Sequence, residues 1–398
     1  MNFFLRFSKK ILIKIIENIF FLFSCFIPVK KGLLVFSMSQ GKYWGNSRSL
    51  FEHIAQNKNQ NLSVAWLYDS SLNLNHISDK YHTFFIPRYS FKGWHTCARA
   101  NGIIISHGFG DFELFRKIAK HKKTIMLWHA ITTKNCGLLD EKFNSREKMN
   151  YLKTETRFYD FLIVSSDIDR YYSASYTGVD VNKITVTGLP RNDQLFRCKS
   201  LKKKSTEKHT ILYAPTFRDY AIQNGSVFFP FAESEFEISE WAQKTGIRFY
   251  LRPHPNDKDS VKHVKSLSQE YPKVYIDSGI KNEPDVMKLI VSCAGIITDY
   301  SSIYIDGLAL DLPVIFVNYD QFEYIEKRGI AYDYELITPG PKVQNFSEFK
   351  VACEEMIHGS IAWTTHRECV RKIFFKYQDS NACSRVTYQI QSLLLGQR

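Results

Sequence analysis

The sequence predicts an α/β protein built from two consecutive Rossmann-like domains that face each other across a cleft. Three observations carry that expectation. The 398 residues, 44% hydrophobic and 23% charged, supply material for two full-sized cores. Short β-rich runs alternate with amphipathic helical stretches along most of the length, the pattern of parallel strands joined by crossover helices. Between two such series, Arg197 to Lys208 (RCKSLKKKSTEK) is polar, basic and without hydrophobic periodicity, as a linker would be.

In the first series, Gly32 to Ser37, Leu62 to Leu67, Gly102 to Ser106, Thr124 to Trp128, Phe161 to Ser165 and Ile184 to Thr187 read as buried strands bounded by turn formers. Amphipathic stretches such as Ser49 to Gln56 and Arg146 to Thr156 lie between them. The second series places strands at Thr210 to Ala214, Arg248 to Leu251, Lys273 to Ile276, Gly295 to Thr298 and Pro313 to Val317. Two such halves joined by a short linker describe the GT-B architecture, whose ligands sit at the carboxyl ends of the strands. The expected divisions are an N-terminal helix over 1–30, a Rossmann-like domain over 31–196, the linker over 197–208, and a second Rossmann-like domain over 209–375. A terminal segment over 376–398 follows, and its helix, roughly Ser384 to Leu395, is expected to pack back on the first domain.

The first 30 residues are rich in Phe and Ile, but Lys14, Glu17 and Asn18 interrupt them. The longest unbroken apolar run, Ile19 to Pro28, falls short of the roughly 20 residues that cross a bilayer. On a helical wheel Phe4, Ile11, Leu12, Ile15, Ile16, Ile19 and Phe23 share one side, with Arg6, Lys9, Lys10, Lys14, Glu17 and Asn18 on the other. Through Lys31 the segment carries six Lys/Arg and one Glu. A basic amphipathic helix suits an in-plane anchor on an anionic membrane surface, and equally a helix packed on the protein's own core.

Charge and cysteine usage narrow the function. With 53 Lys and Arg against 40 Asp and Glu, the formal charge of +13 favours anionic partners. No nucleic-acid-binding motif accompanies it, so nucleic acid is not expected. The eight cysteines are scattered, with neither Cys-x-x-Cys nor zinc-type Cys/His spacing, and read as reduced thiols.

Polar residues gather where the second-series strands end. Ala214-Pro215-Thr216-Phe217-Arg218-Asp219 follows one strand, Arg252-Pro253-His254-Pro255 the next, and Asp299-Tyr300-Ser301-Ser302 a third. Ser301 or Ser302 would cap a helix whose free N–H groups suit a phosphate. Arg252 offers a planar fork for phosphate oxygens, held stiffly by Pro253. Asp299 and Asp306 leave room for a loosely bound Mg²⁺, although no acidic cluster resembles a dedicated metal cage. In the first series His129 ends a strand in Leu127-Trp128-His129-Ala130, where an imidazole is suited to take a proton from an alcohol. His107, in Ser106-His-Gly-Phe-Gly110, ends another strand and is its main rival. Gly188-Leu-Pro-Arg-Asn-Asp193 places Arg191 near the hinge, as a ligand contact or as part of a helix cap.

Four ordered motifs resemble one family. Gly188-Leu-Pro-Arg-Asn-Asp, Ile211-Leu-Tyr-Ala-Pro-Thr-Phe-Arg-Asp, Arg252-Pro-His-Pro and the block from Ile297 to Pro341 look like the CDP-glycerol glycerophosphotransferases. These are the teichoic-acid primases and polymerases, with relatives in capsule synthesis. The resemblance runs from about Lys31 to Pro341. It implies a GT-B fold, transfer of a polyol phosphate from a CDP-polyol donor to a hydroxyl of a lipid-linked or glycan acceptor, and release of CMP. It also implies peripheral attachment to the cytoplasmic face of the cell membrane, with 31–196 on the acceptor side and 209–375 on the donor side. The family's Trp-His-Gly-Thr-Pro-Leu-Lys motif is matched by Trp128, His129 and Lys134, and its second catalytic histidine by His254. Its donor-binding positions fall on Arg191, Pro215, Thr216, Arg252, Ser301, Ser302 and Asp306, with Lys134, Arg218 and Asp299 as further candidates. The expected Gly-Thr-Pro-Leu is Ala130-Ile131-Thr132-Thr133 here, which bears on the polyol more than on the reaction. A GT-B glycosyltransferase using a nucleotide sugar, and a catalytically silent membrane scaffold, are the competing readings.

Overall fold

A computed structural model describes residues 2–38, 42–57, 61–69, 72–200, 209–218, 227–231 and 235–396. Side chains are described from Leu12 onward, His76 and Ser200 excepted. Of the sequence expectations, residues 201–208 of the linker, Asp219 and the side chains of Phe4, Arg6, Lys9, Lys10 and Ile11 lie outside the described residues. The chain forms two compact units, one of residues 1–129, 142–191 and 381–398, the other of residues 130–141 and 192–380.

The first unit is a seven-stranded sheet of β1 (Leu33–Ser37), β2 (Ser63–Tyr68), β3 (Phe85–Pro87), β4 (Gly102–Ile105), β5 (Lys123–Met126), β6 (Phe161–Val164) and β7 (Ile184–Val186). Their order is β3-β2-β1-β4-β5-β6-β7, with every pairing parallel. Strands buried on both faces read as continuous apolar runs, and the five residues of β1 are all buried. The strand order reverses between β1 and β4, so the crevice at a doubly wound sheet's switch point opens over the ends of those two strands. One edge strand, β3, escapes the sequence reading. It has three residues and ends in Pro87, which a ladder tolerates only at its edge.

The N-terminal helix, Asn2–Ser24, belongs to this unit. Phe20, Phe21 and Ile27 pack against the core formed by Val35, Ile103, Phe115 and Leu162. The Phe20 ring meets Phe115 edge-on at 5.6 Å, and the Trp94 indole N–H donates to the Phe20 carbonyl at 3.1 Å. The helix is therefore seated along one edge. Leu12, Ile15, Ile19, Leu22 and Phe23 remain exposed. No helix among the described residues is long and apolar enough to cross a membrane. At the other end of the chain, helix Ala382–Leu395 lies in the same unit, where the Arg385 Nε donates to the Thr187 carbonyl at 2.7 Å.

The second unit is a five-stranded parallel sheet of β8 (Thr210–Tyr213), β9 (Arg248–Leu251), β10 (Tyr275–Asp277), β11 (Gly295–Thr298) and β12 (Val314–Phe316), in the order β10-β9-β8-β11-β12. Its core gathers Ile211, Tyr213, Phe249, Val264, Ile297, Ile315 and Phe349. The switch point lies between β8 and β11.

Two boundaries differ from the sequence reading. The linker assigned to 197–208 begins too early, because Asp193–Ser200 is a helix of the second unit. Leu195 and Phe196 are buried there, and Phe196 meets Phe375 edge-on at 5.3 Å. Two apolar side chains suffice to hold a helix whose remaining residues look like linker. Residues 130–141, which the sequence gives to the first domain, pack with the second unit, since Ile131 and Thr133 are buried and Ala331 N donates to the Thr133 carbonyl at 2.9 Å.

Candidate active site

In the first unit the site is built from chain ends that leave neighbouring strands together. β4 and β5 pair with Ile105 opposite Met126, so Ser106-His107 and Leu127-Trp128-His129 emerge side by side. The strand expected to run through Trp128 stops at Met126. Trp128 takes φ +52°, a left-handed backbone uncommon outside glycine, and the turn it makes delivers His129 to the rim. The His129 imidazole lies against Trp128, ring centroids 4.9 Å apart, and stacks on His107 at 4.8 Å with the planes 14° apart.

His129 is open to solvent, yet desolvation is the largest influence on its ring, and the neighbouring charges of His107 and Arg191 act in the same direction. The imidazole is held below the usual histidine range, opposed more weakly by the Ser106 backbone and the Asp111 charge. It is therefore neutral at neutral pH, the form that can accept a proton. Arg191 is half-buried and its guanidinium donates to the His129 carbonyl. Thus His129 and Arg191, both chosen from sequence, do meet.

Sequence reasoning missed Asn46. This buried side chain, in the helix Gly45–Gln56 that follows β1, donates to the carbonyls of Leu127 and Trp128, and its own oxygen accepts the Arg191 N–H at 3.2 Å. The available signal was its place in the crossover directly after the first strand, beside the switch point.

In the second unit three strand ends converge. After β8, Thr216 N donates to both oxygens of Asp299, at 2.9 and 3.1 Å, tying that loop to the end of β11. Arg218, offered by the sequence as a ligand contact, is buried and turned inward. Its guanidinium pairs with Asp299 and with Asp320, the latter through Nε at 3.0 Å and Nη2 at 2.9 Å, amid the rings of Tyr300, Tyr319 and Tyr324. Desolvation acts against its charge, but the two carboxylates overcome it and raise its pKa. Arg218 and Asp299 thus form the ion network beneath the loops and serve the fold.

Arg252 is also engaged. Its Nη1 donates to the carbonyls of Ser278 and Glu283, at 2.7 and 2.8 Å, which fixes the loop after β10. His254, two residues on, is exposed, and its ring stacks on Phe217 at 5.3 Å, so the loops after β8 and β9 touch. Its Nδ1 accepts the Asn256 N–H at 3.2 Å. The proton of the neutral ring therefore sits on Nε2.

Ser301 and Ser302 are half-buried at the start of Ile303–Leu308, where Ser302 makes no side-chain cap and the Ser301 Oγ is 3.5 Å from Ile303 N. The helix has six residues, and Ser302 does not form the side-chain cap that the sequence offered as one of its two candidates. Pro215 and Thr216 are buried in the loop above. Asp306 is buried and accepts from Asn192 at 2.7 Å. Asp299 and Asp306, which the sequence left open to Mg²⁺, are thus turned to other partners, and among the described residues no group of three or more His, Cys, Asp or Glu is placed to hold a metal ion. Lys134 joins the same neighbourhood through an antiparallel bridge to Ile330. Desolvation, with Arg328 and Arg218 adding to it, pulls its ammonium down to about 8 against the opposing Asp299 charge.

Comparison with known proteins fits this arrangement. Residues 19–392 match the family described as CDP-Glycerol:Poly(glycerophosphate) glycerophosphotransferase. The chain is 26% identical over 384 residues to a teichoic acid glycerol-phosphate transferase of Staphylococcus aureus, covering 90% of this chain and 93% of that one. It is 31% identical over 242 residues to a teichoic acid poly(ribitol-phosphate) polymerase of Bacillus spizizenii, where it spans 36% of the relative's length and 56% of its own. The solved structure of the wall teichoic acid polymerase TagF superposes with a TM-score of 0.73 at 19% identity, over 98% of this chain and 97% of that one. A TagF variant soaked with CDPG reaches 0.77 at 20% identity over the same shares. The two-Rossmann architecture expected from the sequence is therefore that of TagF. With the family matched over nearly its whole length, the chain belongs to the CDP-glycerol:poly(glycerophosphate) glycerophosphotransferases.

Proposed function

We propose that this protein is a phosphotransferase that moves a polyol phosphate, glycerol phosphate or ribitol phosphate, from a CDP-activated donor to a hydroxyl of a glycan or lipid-linked acceptor in teichoic-acid synthesis. Family membership supports the reaction class. The observation that carries the mechanism is the His129 ring held just past the end of β5 between Trp128 and His107.

In this reading His129 takes the proton of the acceptor hydroxyl as that oxygen attacks the β-phosphorus. A new phosphorus–oxygen bond forms to the acceptor, the bond to CMP breaks, and CMP leaves with the electron pair. A positioned base of this kind is worth typically ~10²–10⁴-fold. His254, with Nδ1 occupied by Asn256 N–H, offers Nε2–H to a phosphate oxygen. Ser301 and Ser302 supply further donors, and Arg191 adds positive charge. Arg252 acts through the loop it fixes.

Attachment to the cytoplasmic face of the membrane is part of the proposal. It rests on the exposed stripe Leu12, Ile15, Ile19, Leu22 and Phe23 of a helix that does not span, flanked by basic residues.

The deciding experiment follows nucleotide release from CDP-glycerol, CDP-ribitol and a panel of nucleotide sugars, for the wild type and His129→Ala. CMP release from a CDP-polyol that His129→Ala abolishes in a folded protein is the expected result. Release from a nucleotide sugar alone makes the chain a glycosyltransferase, and release from no donor makes it a scaffold.

A further inference from the structure

His107 shares the rim with His129 and has no part in the transfer outlined above. Its surroundings are nevertheless built around it. Gly108 takes φ +113°, which glycine alone adopts without strain, and the chain folds back so that Asp111 reaches beneath His107. Asp111 is buried; its Oδ2 accepts the N–H groups of Ser106 and His107, at 2.9 and 3.0 Å, and its Oδ1 lies 3.7 Å from the His107 Nδ1. Glu155 accepts the Phe109 N–H at 3.0 Å and fixes the far side of the turn. A carboxylate has thus been buried under one imidazole, and that imidazole is stacked on a second, 4.8 Å away.

We propose that His107 is a positioning residue for His129: seated on Asp111 and stacked on the neighbouring ring, it aligns the base. The inference rests on His129 being the base of the proposed transfer.

Asp111 holds the His107 ring in place. Burial alone would raise its carboxyl, but hydrogen bonding and charge from His107, with the two backbone N–H groups, outweigh burial and hold it below the usual carboxylate range. The charged carboxylate anchors the His107 ring from below. On the far side, the Arg191 guanidinium sits at the His129 carbonyl and disfavours a cation on His129. Other charged side chains near the turn are Glu155 and Lys120, which pair at 3.7 Å, and Arg116, whose guanidinium lies beside Gly110. The stack limits rotation of the His129 ring, which keeps its accepting nitrogen in register with the acceptor.

The test measures kcat and KM for CDP-glycerol, by CMP release from the full chain across about pH 5 to 9, in the wild type, His107→Gln, Asp111→Asn and His129→Ala. His107→Gln should lower kcat about 10- to 100-fold and leave KM within about threefold. Asp111→Asn should show the same split with a smaller loss of kcat. Wild-type kcat in His107→Gln would overturn the proposal, as would a raised KM with kcat intact, which marks a substrate contact. His129→Ala separates the two levels: turnover in that variant removes the base assignment itself, whereas a silent His107→Gln leaves it standing. Should His107→Gln fail to fold, ring-carbon-labelled histidine in the wild type replaces it. The His129 ring signal, assigned by its loss in His129→Ala, should show restricted ring motion by relaxation, and a freely reorienting ring refutes the alignment.

Discussion

Asn46 clamps Trp128: its side-chain amide donates to the Trp128 carbonyl at 3.0 Å and to that of Leu127 at 3.1 Å, across the one turn that carries His129. Trp128 sits in a left-handed conformation that costs about 1–3 kcal/mol and persists only where neighbours over-determine it. The same amide's oxygen holds the Arg191 N–H. One side chain thus sets the positions of two candidate groups. Asn46→Ala is expected to lower kcat about 10- to 100-fold with a smaller change in donor KM, because misplacing a base by an ångström costs that much. Asn46→Asp should be worse, since it presents a carboxylate to two carbonyl oxygens. Steady-state CMP release measures both, and full activity in Asn46→Ala would show that the turn holds itself.

Arg218 separates a structural ion network from a binding residue. Removing it leaves the buried Asp299 and Asp320 carboxylates without their cation, a loss of about 3–5 kcal/mol by the usual cost of breaking a buried pair. Arg218→Met should therefore lower the thermal midpoint of the second unit by several degrees, with reduced activity following from the lost fold. A variant that unfolds like the wild type but binds the donor weakly would return Arg218 to the ligand contacts.

The difference between Arg218 and His254 shows how far the sequence reaches. Both stand in polar motifs past strand ends, and the parallel α/β alternation placed both at the correct end of the sheet. Whether a polar side chain then turns out to a ligand or in to another loop depends on partners distant in the chain. Asp320 lies 102 residues from Arg218, and the turn holding Asp320 looks like any strand-to-helix connection. Trp128 and Asn46 were illegible for a related reason: nothing in the residue type Trp announces a positive φ, and a lone Asn carries no periodic signal. The other strands among the described residues were legible, with ends off by a residue or two, while β3, a short edge strand ending in proline, was not.

Asp169 gives a pH-dependent stability. It is buried near the start of helix Asp167–Thr177, and desolvation raises its carboxyl to about 6 against the hydrogen bonds from Ser165 N–H and Ser173. A folded value above the unfolded one means the stability this group contributes is complete below about pH 4 and is lost as pH rises through about 6. Asp169→Asn keeps an acceptor for Ser165 and removes the charge. It should stabilise the first unit by about 2–3 kcal/mol above pH 7 and leave it unchanged at pH 4, by the conversion of a two-unit shift. Thermal unfolding at both pH values decides, and equal midpoints throughout would mean the carboxylate is solvated as it stands.

The exposed stripe on the N-terminal helix predicts membrane affinity. Leu22 and Phe23 are each 62% exposed, while Phe20 and Phe21 on the opposite edge hold the helix to the core. Leu22→Glu with Phe23→Glu should abolish sedimentation with anionic vesicles at low salt and leave solution turnover of a soluble acceptor unchanged. Phe20→Ala instead should destabilise the first unit. Vesicle binding that survives the double substitution would place the contact elsewhere.

Lys134 supplies the basic side of the pH profile. Its ammonium is pulled to about 8 by desolvation, with Arg328 and Arg218 repelling it and Asp299 holding it up. A lowered lysine loses its charge as pH rises through that value, so a donor phosphate held by Lys134 binds well below pH 8 and progressively less above it, by up to about tenfold per pH unit. An anionic ligand favours the charged form and therefore moves the transition upward when bound. Donor KM in the wild type should then climb between about pH 8 and 9 while kcat changes less. Lys134→Arg keeps a charge that does not titrate in this range and should flatten the climb. Lys134→Ala should raise KM at every pH, with no climb left to flatten. A wild-type KM constant from neutral to alkaline pH would mean that the amine does not hold the phosphate.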